Sequence, residues 1–188
     1  MEIVDSFEKI VRTGLWFVKS RQPVVDLSRF VYEFAVELGM PVTIHSTAKR
    51  AIQNEVVTLI KKNYIKNASD ELEREWLEQE LNEYNTHDHF GYPPEMNQYT
   101  TKGSFWSHDA LFLDYEWLML PSCGHDIVLV DDLSALWWGD ESDKHKILRM
   151  LEEEAKERNK TVIVFVSPNY FIASFGAFCT INGFNFVK

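Results

Sequence analysis

The sequence predicts an α/β (α+β) domain with a helical N-terminal part. Three observations carry that reading. Residues 1–84 repeat apolar side chains at helical spacing, residues 110–188 alternate short apolar runs with an amphipathic helix, and "TVIVFVS" at 161–167 is continuous, apolar and rich in β-branched residues. Between these halves, residues 85–109 hold Gly91, Pro93, Pro94 and Asn97 without periodicity, which predicts a long loop.

In the N-terminal part, Leu27, Phe30, Val31, Phe34 and Leu38 fall on one helical stripe, with Asp26 as N-cap and Gly39 as the stop. A second helix starts at Ser46 and buries Ala48, Ile52, Val56, Leu59 and Ile60. A third starts at Ser69 and places Leu72, Trp76, Leu77, Leu81 and Tyr84 on one face, opposite Glu71, Glu73, Glu75, Glu78 and Glu80. In the C-terminal half, residues 110–120 and 126–136 read as strands joined through "PSCGH". Residues 143–158 form a helix through Ile147, Leu148, Leu151 and Ala155. "TVIVFVS" fits a strand buried on both faces, followed by a short helix, a turn at Asn182-Gly183 and a closing strand "FNFV".

A chain of 188 residues with 13 Phe, 7 Tyr and 6 Trp can bury one large core, so a single domain with a helical extension is expected. The net charge of −10 excludes nucleic-acid binding outside a local basic patch and favours a basic protein partner. Two cysteines are too few for a disulfide framework. No apolar run reaches the roughly 18 residues of a membrane span, and the acidic start "MEIVDSFEKI" has no signal-peptide pattern, so a cytoplasmic protein is expected.

The segment "KILRMLEEEAKERNKTVIVFVSPN", continued by "AFCTINGFNFVK", resembles the second half of the GNAT family of acyl-coenzyme A dependent N-acyltransferases. The resemblance covers residues 126–188 and implies a mixed sheet, acetyl-CoA as cofactor and a small-molecule or protein amine as acceptor. It implies that the backbone of Leu133, Ser134, Ala135 and Leu136 pairs with the pantetheine arm, and that Gly139, Ser142 and Lys144 hold the pyrophosphate at a helix start. Asp131 or Asp132 would serve as general base, and Cys179 stands where the family carries a tyrosine acid. The residues themselves pull the other way at one point. Asp140, Glu141 and Asp143 put three carboxylates where polyphosphate would sit, and such acids also complement a helix dipole with no ligand present. Cys179 likewise fits a small buried hydrophobe on an apolar helix. The alternative reading is therefore a catalytically inactive relative that binds a protein partner through acidic surfaces.

Three further patterns bear on function. "LVDDLSALW" followed by "TVIVFVSPN" has the cadence of the central strands of RecA-like ATPases, but no G-x-x-x-x-G-K-[ST] phosphate loop exists in the chain, which excludes ATP hydrolysis of that kind. His87, His89, His108 and His125 are candidate zinc ligands by residue type, at spacings that match no standard motif. "ELGMPVTIHSTAKRAIQNEVV" has the outline of a helical hairpin or a DNA-binding helix-turn-helix, and the acidity of the chain favours the hairpin.

Overall fold

The computed structural model describes residues 13–86, 109–113, 118–131, 144–167 and 172–187. Six short apolar runs become strands because each is too short for a stable helix and is bounded by turn or capping residues. They are β1 (Gly14–Lys19), β2 (Val42–His45), β3 (Ala110–Leu113), β4 (Ile127–Val130), β5 (Thr161–Val166) and β6 (Asn185–Val187). They form one sheet in the order β3-β2-β4-β5-β1-β6, and every pairing is parallel. The expected α/β class stands, but the mixed sheet is corrected to a parallel one. Parallel neighbours need crossover connections, and helices follow β1, β2, β4 and β5: α1 (Pro23–Val31), α2 (Lys49–Lys66), α4 (Lys144–Glu157) and α5 (Ile172–Asn182), with α3 (Glu71–Thr86) packed on α2.

Helices cover both faces. Val42 and Ile44, Ile127 and Leu129, Ile163 and Phe165 point to one side, against α1 and α2. Leu15 and Phe17, Val128 and Val130, Val162 and Val164 point to the other, against α4 and α5. Two-sided burial explains why these strands show no polar alternation.

The helical N-terminal part is corrected as well. Residues 14–19 and 42–45 are strands, and β1 lies between β5 and β6, so the first and last thirds of the chain share one sheet. The first helix starts earlier than expected, with Pro23 in its opening turn and Asp26 inside that turn. It runs on as a π-helical segment, Tyr32–Glu37, and stops at Gly39, whose φ of +65° suits glycine. Burial, helped by a hydrogen bond to Glu37, raises the Tyr32 phenol pKa. Of the expected apolar face of α3, Leu77 is buried, whereas Leu72 is 77% and Trp76 60% exposed. The expected strand at 110–120 is shorter, since Leu120–Ser122 is a 3-10 turn; β4 covers the first part of the 126–136 run.

Two polar clusters fasten the sheet. On α4, buried Glu152 accepts from Arg149 at 2.8 Å and Lys156 at 2.9 Å. Arg149 also donates to the Asn182 carbonyl and lies over the Phe184 ring, 4.5 Å from its centroid, tying α4 to the turn before β6. At the amino edge, buried Lys160 donates from Nζ to the carbonyls of Cys123 and His125, both at 2.9 Å, which joins the starts of β4 and β5. Lys160→Met keeps the aliphatic stem and strands both carbonyls. The expected loss is roughly 2–4 kcal/mol, read as a lower urea midpoint at unchanged slope; an unshifted midpoint would show that the lysine is dispensable.

Candidate functional site

All carboxyl ends of a parallel sheet open on one edge. Ligands bind there where adjacent strands send the chain to opposite faces. Two such places exist. β1 leads to α1 on one face while its neighbour β5 leads to α5 on the other; β2 leads to α2 while its neighbour β4 leads to α4.

At the first place only Ser20, Arg21 and Gln22 join β1 to α1. Ser20 is buried and its backbone N–H donates to the Val166 carbonyl at 3.0 Å. Its Oγ donates to Asp26 Oδ2 at 2.6 Å and accepts from the Gln22 N–H at 3.2 Å. The connection has no glycine, and Pro23 removes one of the backbone N–H groups that a helix start offers an anion. A carboxylate of the chain itself occupies the opening turn. The connection therefore lacks the glycine-rich run of backbone N–H groups and the lysine that cradle phosphates in the P-loop architecture; its one basic side chain is Arg21.

At the second place Ser46 leaves β2 and Asp131 leaves β4. Ser46 Oγ donates to Asp131 Oδ2 and accepts from the Ala48 N–H at 2.9 Å. Asp131 also donates its backbone N–H to the His45 carbonyl at 3.4 Å. His45 is 5% exposed, and its Nε2 has no hydrogen-bond partner among the described residues. The serine thus both orients the Asp131 carboxylate and accepts the N–H of Ala48, the residue before α2.

Of the site residues expected from sequence, Asp131 lies at this edge, half-buried. Asp132, Leu133, Ser134, Ala135, Leu136, Gly139 and Ser142 lie outside the described residues, and Lys144 is the first residue of α4. β4 and β5 stay paired from Ile127↔Thr161 to Val130↔Val164, with no splay along that length. Cys179 is fully buried in the core between the sheet and α5, and desolvation pushes its thiol up to about 12. That is the setting of a small apolar side chain packed in the core. Burial also pushes Cys123 up to about 11, only partly offset by Lys160. His125 lies at the amino end of β4, the opposite edge from Asp131, with its ring Nδ1 3.2 Å from Thr43 Oγ1. His87, His89 and His108 lie outside the described residues, and among those described no group of three or more His, Cys, Asp or Glu is placed to hold a metal.

Sequence reasoning missed Ser20, His45 and the pairing of Ser46 with Asp131. A signal for the first was present: the apolar run "LWFV" followed by Ser20 and Pro23 is a strand, turn and helix start. The Ser46–Asp131 contact spans 85 positions and has no local signature.

Neither the protein-family models nor the curated proteins contain a match to this chain. No helix among the described residues is long and apolar enough to cross a membrane. The fold is that of a parallel three-layer α/β protein, with a serine–aspartate pair at each of two corners of its carboxyl edge.

The thiols supply a test of this placement. Both are expected to stay silent toward a disulfide reagent at about pH 8 and to react once urea unfolds the chain; rapid native reaction would contradict the burial. Unfolded thiols ionise at the ordinary 9.0, while the folded ones hold their protons to about 11 and 12. Folding stability is therefore complete below about pH 9 and falls as pH rises through that window. Cys179→Ala should reduce this alkaline dependence in a series of urea melts.

Proposed function

We propose that this chain is a non-catalytic binding module, built on a framework like that of the RecA-like ATPases and engaging a protein partner. The observation that carries the reading is the β1–α1 connection, where the Asp26 carboxylate, held by Ser20 at 2.6 Å, stands in the turn that would cradle phosphate. Support also comes from the all-parallel sheet, from an acid ending the central strand β4, and from the next strand in sequence, β5, lying beside it. This is the arrangement suggested by "LVDDLSALW" and "TVIVFVSPN". The acyltransferase reading keeps the helix, strand, helix, strand order from 144 to 187, but Cys179 in the core leaves its acid position without access to an acceptor.

Titration calorimetry with Mg·ATP and, separately, with acetyl-CoA tests the proposal. The expected result is no heat and an unshifted melting temperature with either ligand up to roughly millimolar concentration, where a ligand of micromolar Kd would raise stability by about 4 kcal/mol. Micromolar binding of ATP would overturn the silent-edge reading. Micromolar binding of acetyl-CoA would return the chain to acyl transfer.

A further inference from the structure

The partner-binding surface can be located, given the reading of the chain as a protein-binding module. We infer that the outer face of α3 docks a basic amphipathic segment of another protein, with Leu72 and Trp76 as its apolar anchors.

The start of α3 is rigidly built. Asp70 Oδ1 accepts from the Glu73 N–H at 2.9 Å as an N-cap, and Glu73 Oε2 accepts from both the N–H and the Oγ of Ser69, the residue before the cap, at 2.6 Å. Those hydrogen bonds also hold the Glu73 carboxyl below its usual range, so it stays charged. From this fixed start the helix packs on α2, and among the side chains described on α3 Leu77 alone is buried. At 3.6 residues per turn, Leu72 and Trp76 lie about 100–140° round the helix from Leu77, so packing on α2 does not cover them. They are four residues apart and therefore adjacent on the surface. Their exposures, 77% and 60%, make them an exposed apolar pair on one helix face.

Charge selects the occupant. Glu71, Glu73, Glu75 and Glu78 are exposed around the pair, with Arg74 the one basic residue between positions 71 and 79. A second copy of α3 would set carboxylates against carboxylates, in a chain that already carries −10, and like-charge contact opposes association. A segment with lysine or arginine on both sides of an apolar side chain meets both features: it pairs with the carboxylates and covers an indole, the side chain most often found as an interface anchor.

The experiment uses the full chain and, as probe, a synthetic helical peptide with a leucine stripe flanked by lysine and arginine, read by calorimetry. Binding is expected in the micromolar range at about 50 mM salt and at least tenfold weaker at about 500 mM. Leu72→Ser/Trp76→Ser, which leaves the net charge unchanged, should weaken binding about tenfold or more. Glu71→Lys/Glu75→Lys/Glu78→Lys should abolish it. Circular dichroism and melting curves show that the variants remain folded, as exposed positions allow. Equal affinity of the serine variant and the original chain would reduce the effect to unspecific attraction and overturn the proposal. Dimerisation in sedimentation that the serine variant abolishes would also overturn it, in favour of a second copy. Neither result bears on nucleotide binding, so a silent sheet edge would survive failure of the docking surface.

Discussion

Burial of the parallel sheet on both faces is the constraint from which the rest follows. β5 shows it most clearly: Val162, Ile163, Val164, Phe165 and Val166 are five consecutive residues of which none is more than 1% exposed. Each such side chain contributes about 1.5–3 kcal/mol on burial, so this strand alone contributes a gross amount comparable with the net stability of a whole domain, about 5–15 kcal/mol. That burial requires helices on both sides, and it requires β1 to close the sheet beyond β5. The chain's first strand therefore belongs to the same cooperative unit as its last.

With both faces closed, the strand ends carry polar contacts of their own at the two edges. At the amino edge Lys160 satisfies two carbonyls. At the carboxyl edge the same solution appears twice, a serine at a strand-to-helix corner donating to an aspartate: Ser20 to Asp26 and Ser46 to Asp131. A hydroxyl orients a carboxylate but does not neutralise it. Lys19 and Arg21 at the first corner and Lys49 and Arg50 at the second stand near these acids, so the edge carries both signs of charge. The buried Nε2 of His45 has no hydrogen-bond partner among the described residues.

Much of the architecture was legible locally. α4, with Ile147, Leu148, Leu151 and Ala155 inward, lies within one residue of its expected ends; β5, the Asn182-Gly183 turn and β6 also follow from the residues themselves. What was not legible is non-local. "GLWFVK" and "VTIH" sit among helical patterns, and only their pairing with β5, β6, β3 and β4 makes them strands. Leu72 and Trp76 have the spacing of a buried stripe, yet no element among those described covers them, since periodicity reports which residues share a face and not what lies opposite it. Asp131 was recognisable as a strand-end acid. Its serine partner, 85 positions earlier, was not.

The two family resemblances in the sequence point apart for the same reason. "KILRMLEEEAKERNKTVIVFVS" followed by "AFCTINGFNFV" encodes a helix, a buried strand, a second helix and a strand, and that unit serves many parallel sheets. What separates one such fold from another is strand order, which depends on where β1 and β2 insert. Here β1 enters between β5 and β6, and β2 between β3 and β4. This brings the β1–α1 turn to the position beside β5 where a phosphate-binding turn would act. That turn carries Ser20, Pro23 and Asp26 in place of glycines and a lysine. A carboxylate held by a serine at this corner makes the sheet end self-satisfied. On the binding-module reading proposed above, recognition falls to the outside of the helical layers, where α3 leaves an indole and a leucine among acids.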